Sequence, residues 1–276
     1  MMVSMSSSAM TTPSNTPSST TRLARTVAIT SGKGGVGKTF VSANLAAALT
    51  RQGLKVLVLD ADLGLANLDV VLNLYPKITL HDVFTGKAQL EEAILPAPGG
   101  FSVLLAGSGL VEYSRLTPEV RDQLFNIMEA VKPRFDVLLI DTGAGISDVV
   151  LYAVSLAHEV IVVATPEPTS MTDAYATIKV LSSQQSRDSL NLVVNQVTRS
   201  GDGRAICNQL QQVVDRFVQS PSGLSPKLNF LGDVPLDTSV REAVQKRQLL
   251  LELHPGSTAS QGIVQVATRL LARQAA

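Results

Sequence analysis

The segment Gly-Lys-Gly-Gly-Val-Gly-Lys-Thr at residues 32–39 restricts the fold more than any other feature of this chain. An apolar run at 26–31 precedes it, and a stretch with helical periodicity at 40–48 follows it. Its glycines allow the backbone to curl until successive N–H groups face inward, and the helix that follows adds the partial positive charge of its N-terminus. The sequence therefore predicts a phosphate-binding loop between a strand and a helix.

Each part of this loop has a chemical role in nucleotide binding. Lys38 would neutralise the β- and γ-phosphates, and the Thr39 hydroxyl would bind Mg²⁺. Backbone N–H groups would surround the phosphate oxygens. ATP and Mg²⁺ are therefore the expected cofactors, and the expected contacts within the loop are Gly32, Lys33, Gly34, Gly35, Val36, Gly37, Lys38 and Thr39.

Lys33 is a second lysine that the loop does not need for its own nucleotide, because Lys38 already has that role. One interpretation is a solvated lysine that gains electrostatic energy from the nearby phosphates. The other is a catalytic residue that crosses a dimer interface to the phosphates of a partner, as an arginine finger does in trans. The second interpretation predicts a dimer in the ATP-bound state.

Apolar runs alternate with helical patterns along the rest of the chain. The runs are apolar throughout, which is typical of parallel strands covered by helices on both faces. The predicted fold is α/β, a doubly wound and mostly parallel sheet with helices on both faces. The predicted strands after the first are 55–60, 101–106, 137–141, 159–164, 190–195 and 228–232.

Aspartates close two of these strands, where ligands bind in such sheets. Asp141 follows four apolar strand residues, as a second Mg²⁺ contact beside Thr39 requires. Asp62 has the reach to orient an attacking water. Asp60 would support the loop or the metal ligands without binding the metal itself. Simple capping of helices or turns is the alternative for these side chains.

The amino-acid composition limits the ligands, metal sites and cellular locations that this chain can have. Lys plus Arg equal Asp plus Glu at 23 each, so no overall field favours nucleic acid. A single cysteine, Cys207, excludes a disulfide within the chain and a thiolate metal site built by one subunit. No apolar run is long enough to span a bilayer, and no secretory signal is recognisable, so we expect a cytoplasmic protein.

The predicted organisation has three parts. Residues 1–25 are rich in Ser, Thr and Pro and are expected to form a disordered tail, with an organelle transit peptide as the alternative. An ATPase domain is expected over 26–258, and an amphipathic helix over 259–276. The apolar face of that helix would either contact the inner face of the cell membrane or pack on the core, and its members are Ile263, Val266, Ala267, Leu270 and Leu271.

Three stretches resemble the deviant Walker A ATPases of the MinD/ParA group, over nearly all of residues 26–276. They are the loop from Lys33, the segment at 60–69 and the segment at 141–146. Within that group, residues 167–179 and 239–244 are similar to the FlhG/FleN branch, MinD-like regulators of flagellar number and placement. The Asp-Gln-Ala-type motif of some members is absent from 1–25.

The resemblance implies a switch that dimerises with ATP and hydrolyses it. It implies that Lys33, Lys38 and Asp62 are catalytic, that Thr39 and Asp141 hold the metal, and that Asn195 and Pro235 contact adenine. It also implies antagonism of a flagellar master transcription activator and cooperation with the GTPase FlhF.

Other members of the same superfamily are separable by residues in this chain. Iron–sulfur carriers need paired cysteines, which are missing here. A metabolic ligase of the dethiobiotin synthetase kind has no need for Lys33. A MinD-type cell-division ATPase or a ParA-type partitioning ATPase stays open as the alternative, although partitioning would favour a basic patch for duplex binding.

Overall fold

The computed structural model describes residues 23–64, 67–107 and 115–273. Its centre is an eight-stranded sheet in the order β3-β4-β2-β5-β1-β6-β7-β8. Only β3 runs antiparallel to its neighbour, and the other pairs are parallel. The strands are β1 (Arg25–Ser31), β2 (Val56–Ala61), β3 (Ile94–Pro96), β4 (Ser102–Leu104), β5 (Val137–Ala144), β6 (Glu159–Ala164), β7 (Ser189–Val197) and β8 (Lys227–Pro235).

Helices cover both faces of this sheet and bury an apolar layer on each. One layer lies under α3 (Leu80–Phe84), α4 (Leu90–Ala93), α5 (Pro118–Val131), α6 (Asp148–Ser155), α7 (Pro168–Gln185) and α8 (Asp202–Phe217). The other lies under α1 (Lys38–Thr50), α2 (Leu68–Leu72), α9 (Thr238–Lys246), α10 (Leu250–Leu253) and α11 (Thr258–Ala272). The predicted doubly wound α/β fold is confirmed.

The predicted strands are all present, with shifted ends. Strand β5 continues three residues beyond the predicted end at Asp141, and the predicted strand at 101–106 is limited to Ser102–Leu104. Strand β3 was not predicted because three residues that include a proline carry no periodic signal. Most of the predicted tail, residues 1–22, lies outside the described residues.

Helix α11 packs its apolar face on the protein core. Ile263, Val266, Ala267 and Leu270 are buried, on a helix that packs against β8 and α1, and Leu271 is half-buried against the same core. The core-packing interpretation therefore describes this helix, and the side chains expected to contact a membrane are not available to one in this conformation. None of the helices that the structure describes is long and apolar enough to cross a bilayer.

Strand β8 forms one edge of the sheet, and side chains occupy two of its backbone groups. The Leu228 N–H donates to Gln211 Oε1 at 2.7 Å, and the Leu231 carbonyl accepts from Arg269 Nη1 at 3.0 Å. The pairing register also shifts at Leu231, between the neighbours of Leu192 and Val193 on β7. These features disfavour the pairing of a further strand along β8.

Candidate functional site

The phosphate-binding loop lies at the carboxyl edge of the sheet, after the central strand β1, which pairs with β5 and β6. Gly35 and Gly37 have φ angles of 79° and 92°, a region that side chains with a Cβ rarely adopt. Helix α1 starts at Lys38 and has no acidic residue in its first turn. Its positive end therefore faces the loop without an internal carboxylate to neutralise it.

Gly32 and Gly37 allow the loop to pack closely against its surroundings. A Cβ on Gly32 would lie 2.2 Å from the carbonyl oxygen of Asp173 in α7, and one on Gly37 would lie 2.3 Å from Asn195 Nδ2. Asn195 Nδ2 in turn donates to the Val36 carbonyl at 2.8 Å. The loop is thus held between α7 and the end of β7 before any ligand arrives.

Lys38 lies in the cavity that the loop encloses and is 9% exposed. Its Nζ donates to Ser31 Oγ at 2.9 Å, and Ser31 Oγ donates to the Lys33 carbonyl at 2.7 Å. Burial lowers the pKa of Lys38, while the charges of Asp141 and Asp62 act in the opposite direction. A buried ammonium beside an open cavity is suited to bind an anion there.

Asp141 lies on β5 beneath the same cavity and is 2% exposed. Its carboxylate accepts from Ser42 Oγ at 2.8 Å and from the Thr39 hydroxyl. Burial raises the pKa of Asp141 to about 6, and the hydrogen bonds from Ser42 and Thr39 and the charge of Lys38 limit the rise. Thr39 and Asp141 are therefore in contact, as a shared role at one metal ion requires.

Asp62 follows β2 and lines the cavity directly. A Cβ on Gly143 would lie 3.3 Å from Asp62 Oδ1, so Asp62 faces the last residues of β5. Asp60 is different, because it is buried and lies beside Asp141 in the register of β2 with β5. Burial raises the pKa of Asp60 well above its ordinary range, and the negative charge of Asp141 raises it further. Asp60 also accepts from the Asp62 N–H at 3.1 Å, which positions Asp62.

Two cavities share Gly37 and Phe40 in their linings. The larger, of about 710 Å³, contains the loop, Lys38, Thr39 and Asp62. The smaller, of about 240 Å³, contains both residues predicted to contact adenine. Its lining is Gly37, Phe40, Asn195, Gln196, Pro235, Leu236, Asp237, Val240, Arg241 and Val244. This division suits a ligand with an anionic part and a flat apolar part.

Lys33 does not point into the phosphate cavity. Its Nζ donates to Glu167 Oε2 at 2.9 Å and to Thr169 Oγ1 at 3.0 Å. The Lys33 and Glu167 side chains are 39% and 61% exposed. The Lys33 side chain therefore lies at the surface of the loop, while that of Lys38 lies inside.

Sequence reasoning missed several residues of this site. Ser42 could have been found, because it lies one helical turn after Thr39 and faces the same side. Glu167 could also have been found, since it follows the carboxyl end of β6. Val240 and Val244 carry no signal of their own, because apolar residues of a short helix are usually core.

The arrangement fits a magnesium nucleotide. The inner glycines provide a backbone cradle, Lys38 supplies the buried cation, and Thr39 and Asp141 supply oxygen ligands of the kind that Mg²⁺ prefers. The apolar cavity beyond Gly37 is suited to a base. Fold and site together define a P-loop nucleotide-binding protein.

Comparison with known proteins assigns the chain to one family of P-loop proteins. The model of the ParA family, described as NUBPL iron-transfer P-loop NTPase, matches residues 22–271. The chain belongs to the ParA/MinD family of P-loop NTPases. Iron transfer through a pair of cysteine thiolates is not possible within one subunit, because the chain has one cysteine, which is buried on α8.

Two sequence relatives and one solved structure illustrate the likeness. The chain is 43% identical to the antiactivator FleN of Pseudomonas aeruginosa, over 88% of this chain and 85% of FleN. It is 36% identical to the flagellum site-determining protein YlxH of Helicobacter pylori, over 90% and 82%. The septum site-determining protein MinD of Pyrococcus horikoshii, complexed with Mg-ADP, is similar with a TM-score of 0.72 and 29% identity, over 92% and 99%.

Proposed function

We propose that this chain is a Mg²⁺-dependent ATPase that dimerises with ATP and regulates flagellar number or placement. The observation that carries the switch is the separation of the two loop lysines. Lys38 is buried beside the phosphate cavity, whereas Lys33 is exposed and contacts only surface groups of its own chain. A cation so placed is available to the nucleotide of a second copy.

The chain's own residues supply the remaining parts of the reaction. Lys38 and the loop N–H groups bind and orient the phosphates, and Thr39 and Asp141 hold Mg²⁺. Bound Mg²⁺ would neutralise charge that develops on the phosphate oxygens. Asp62 orients the attacking water, and Asp60 holds the Asp62 backbone in place. Asn195, Pro235 and the valines of α9 bind adenine.

The flagellar assignment is supported by similarity to FleN and YlxH, which extends over most of the chain. We further propose that the partners are a flagellar transcription activator, which the protein antagonises, and a GTPase of the FlhF type. Contact of α11 with a membrane is not part of this proposal, because the face it would use is buried. We propose the cytoplasm as the location.

The ATPase switch is tested with Asp62→Ala, which should bind ATP without hydrolysing it. Light scattering coupled to size-exclusion chromatography should then show a dimer with ATP and Mg²⁺ and a monomer with ADP. Asp122→Ala removes an exposed carboxylate of α5, away from the cavity, and serves as the control that hydrolyses normally. An Asp62→Ala protein that stays monomeric with ATP would contradict the proposed ATP-dependent dimerisation.

The biological role is tested by complementation. The gene should restore the flagellar number of Pseudomonas aeruginosa cells that lack FleN, counted by electron microscopy, and Lys38→Ala should not. MinD-type control of the division site is the second candidate, favoured by the structural similarity to MinD. Rescue of minicell formation in a MinD-deficient bacterium, without rescue of flagellar number, would favour that candidate.

A further inference from the structure

A groove beside the edge strand β8 collects positive charge at a distance from the nucleotide site. It has a volume of about 480 Å³, and four cations line it: Arg204, Lys227, Arg269 and Arg273. All four side chains are exposed. None of the four has a carboxylate partner within salt-bridge distance among the residues that the structure describes. In a chain of zero net charge, four unpaired cations in one groove are a local excess.

Close packing of the flanking helices builds this groove. A Cβ on Gly203 of α8 would lie 2.6 Å from Asp233 Oδ2, and one on Gly262 of α11 would lie 2.6 Å from the Asp233 carbonyl. The two glycines let the helices approach β8 from opposite faces of the sheet. Arg204 follows Gly203 directly, and Arg269 lies two turns after Gly262. The two arginines therefore come together beside the outer edge of β8.

Phe230 holds these two arginines in place. The guanidinium carbons of Arg204 and Arg269 lie 4.9 Å and 5.9 Å from the centroid of its ring. Arg269 also donates to the Leu231 carbonyl. Cation–π contacts and a backbone hydrogen bond restrict both side chains before a ligand binds, which lowers the entropy cost of ordering them.

The chemistry of the groove identifies the kind of partner. Arginine binds carboxylates through paired N–H groups, and the groove offers three arginines and one lysine along an edge of the sheet. Gln211 and Arg269 already occupy two backbone groups of β8, and a strand added along this edge would have to break both hydrogen bonds. Recognition of a ligand through its side-chain charges leaves both hydrogen bonds intact.

We infer that this groove, lined by Arg204, Lys227, Arg269 and Arg273, is a docking surface for an acidic peptide segment of a protein partner. A bilayer fits less well, because Leu228 and Leu231 in the lining are buried and two arginines lie over the half-buried Phe230 ring. Single-stranded nucleic acid fits less well because a base that stacked on Phe230 would have to displace an arginine.

The test uses the full chain and a fluorescein-labelled decapeptide of glutamate and serine, followed by fluorescence anisotropy. A decapeptide with glutamine in place of glutamate is the uncharged probe. Binding of the acidic peptide is expected, with loss of about tenfold or more in affinity for Arg204→Glu combined with Lys227→Glu. The uncharged peptide should bind neither protein.

The matched control is Arg121→Glu combined with Arg216→Glu. Both arginines lie over an aromatic ring outside the groove, and the control changes the net charge by the same amount as the groove variant. It should bind the acidic peptide as the wild type does. If the groove variant fails to fold, as judged by its thermal melt, Arg273→Glu at the exposed end of the groove replaces it.

Three results would overturn the inference. The first is equal binding of the acidic and uncharged peptides, and the second is equal loss of binding in groove and control variants. The third is displacement of the acidic peptide by a 20-base-pair duplex or by vesicles of phosphatidylglycerol at lower concentrations than by unlabelled peptide, which would assign the groove to nucleic acid or to a membrane.

Discussion

The Nζ atom of Lys33 lies 2.9 Å from Oε2 of Glu167 in the same chain. Both side chains are substantially exposed, and pairs of this kind contribute about 0.2–1 kcal/mol. A trans contact with a triphosphate in a closed interface would be much stronger, because fewer water molecules screen it. The pair therefore defines a resting position of Lys33 that costs little to leave.

The first prediction separates the two loop lysines. Lys38→Ala should weaken ATP binding by roughly one to two orders of magnitude, because a charge-assisted hydrogen bond to phosphate is lost. Lys33→Ala should leave binding nearly unchanged and reduce dimerisation and hydrolysis. Fluorescent nucleotide titration and light scattering measure the two effects. Equal loss of ATP affinity in both variants would refute a trans role for Lys33.

Glu167→Gln tests how little the intrachain pair contributes. The free energy of unfolding should change by less than about 1 kcal/mol, and the dimer dissociation constant by less than about fivefold. Glu91→Gln, which breaks the pair between Glu91 and Arg134, is the matched control for stability, because these side chains are 67% and 40% exposed. A loss of dimerisation as complete as that of Lys33→Ala would instead give Glu167 a role in the dimer itself.

Helix α11 gives a prediction about packing. Leu270→Glu should reduce the free energy of unfolding by about 3–5 kcal/mol, because it places a charge in the buried layer under α11. Val264→Glu, on the same helix, should cost less than about 1 kcal/mol, because Val264 is 41% exposed. Urea unfolding measures both. A stable Leu270→Glu protein that no longer sediments with vesicles would revive the membrane interpretation.

Asp237 links two helices and lines the apolar cavity. Its carboxylate accepts from the Ser239 N–H at 2.9 Å at the start of α9, and from Thr258 Oγ1 at 2.8 Å and the Ala259 N–H at 3.3 Å at the start of α11. These hydrogen bonds lower the pKa of Asp237 to about 2. The stabilisation is present above the unfolded pKa of 3.8 and is lost as pH falls towards 2.

Asp237→Ala should therefore reduce the free energy of unfolding at pH 7 by about 1–2 kcal/mol, as loss of a helix cap does. The difference from wild type should shrink between pH 5 and pH 3. Asp237→Ser retains an oxygen for the cap without the charge, so its difference from Asp237→Ala should not change with pH. A constant difference between wild type and Asp237→Ala over this range would show that the charge contributes nothing.

The sequence predicted the phosphate side of the site better than the base side. Glycines, Lys38, Thr39 and Asp141 are tied to chemistry that few other residues can perform, so their spacing alone indicates a role. The apolar cavity depends on Val240 and Val244 of α9, whose position follows from the packing of α9 and α11 through Asp237. Such contacts connect distant parts of the chain and leave no local pattern.

The predicted ends of elements failed for a related reason. Strand β5 runs beyond Asp141 because Thr142 Oγ1 donates to the Ile29 carbonyl on β1 and the pairing continues to Ala144. Strand β3 exists because β4 offers it an edge. Both facts concern neighbours in space, which hydrophobic periodicity does not report.

The blocked edge of β8 has a consequence for how copies of this protein meet. An open strand at the margin of a large sheet invites uncontrolled stacking of chain upon chain, which ends in insoluble polymer. Gln211 and Arg269 occupy two backbone groups at one margin, and β3 ends in Pro96 at the other, so both margins are poor templates for a further strand. The proposed ATP-dependent dimer would instead meet through the face that carries Lys33, where release of the nucleotide would separate the copies.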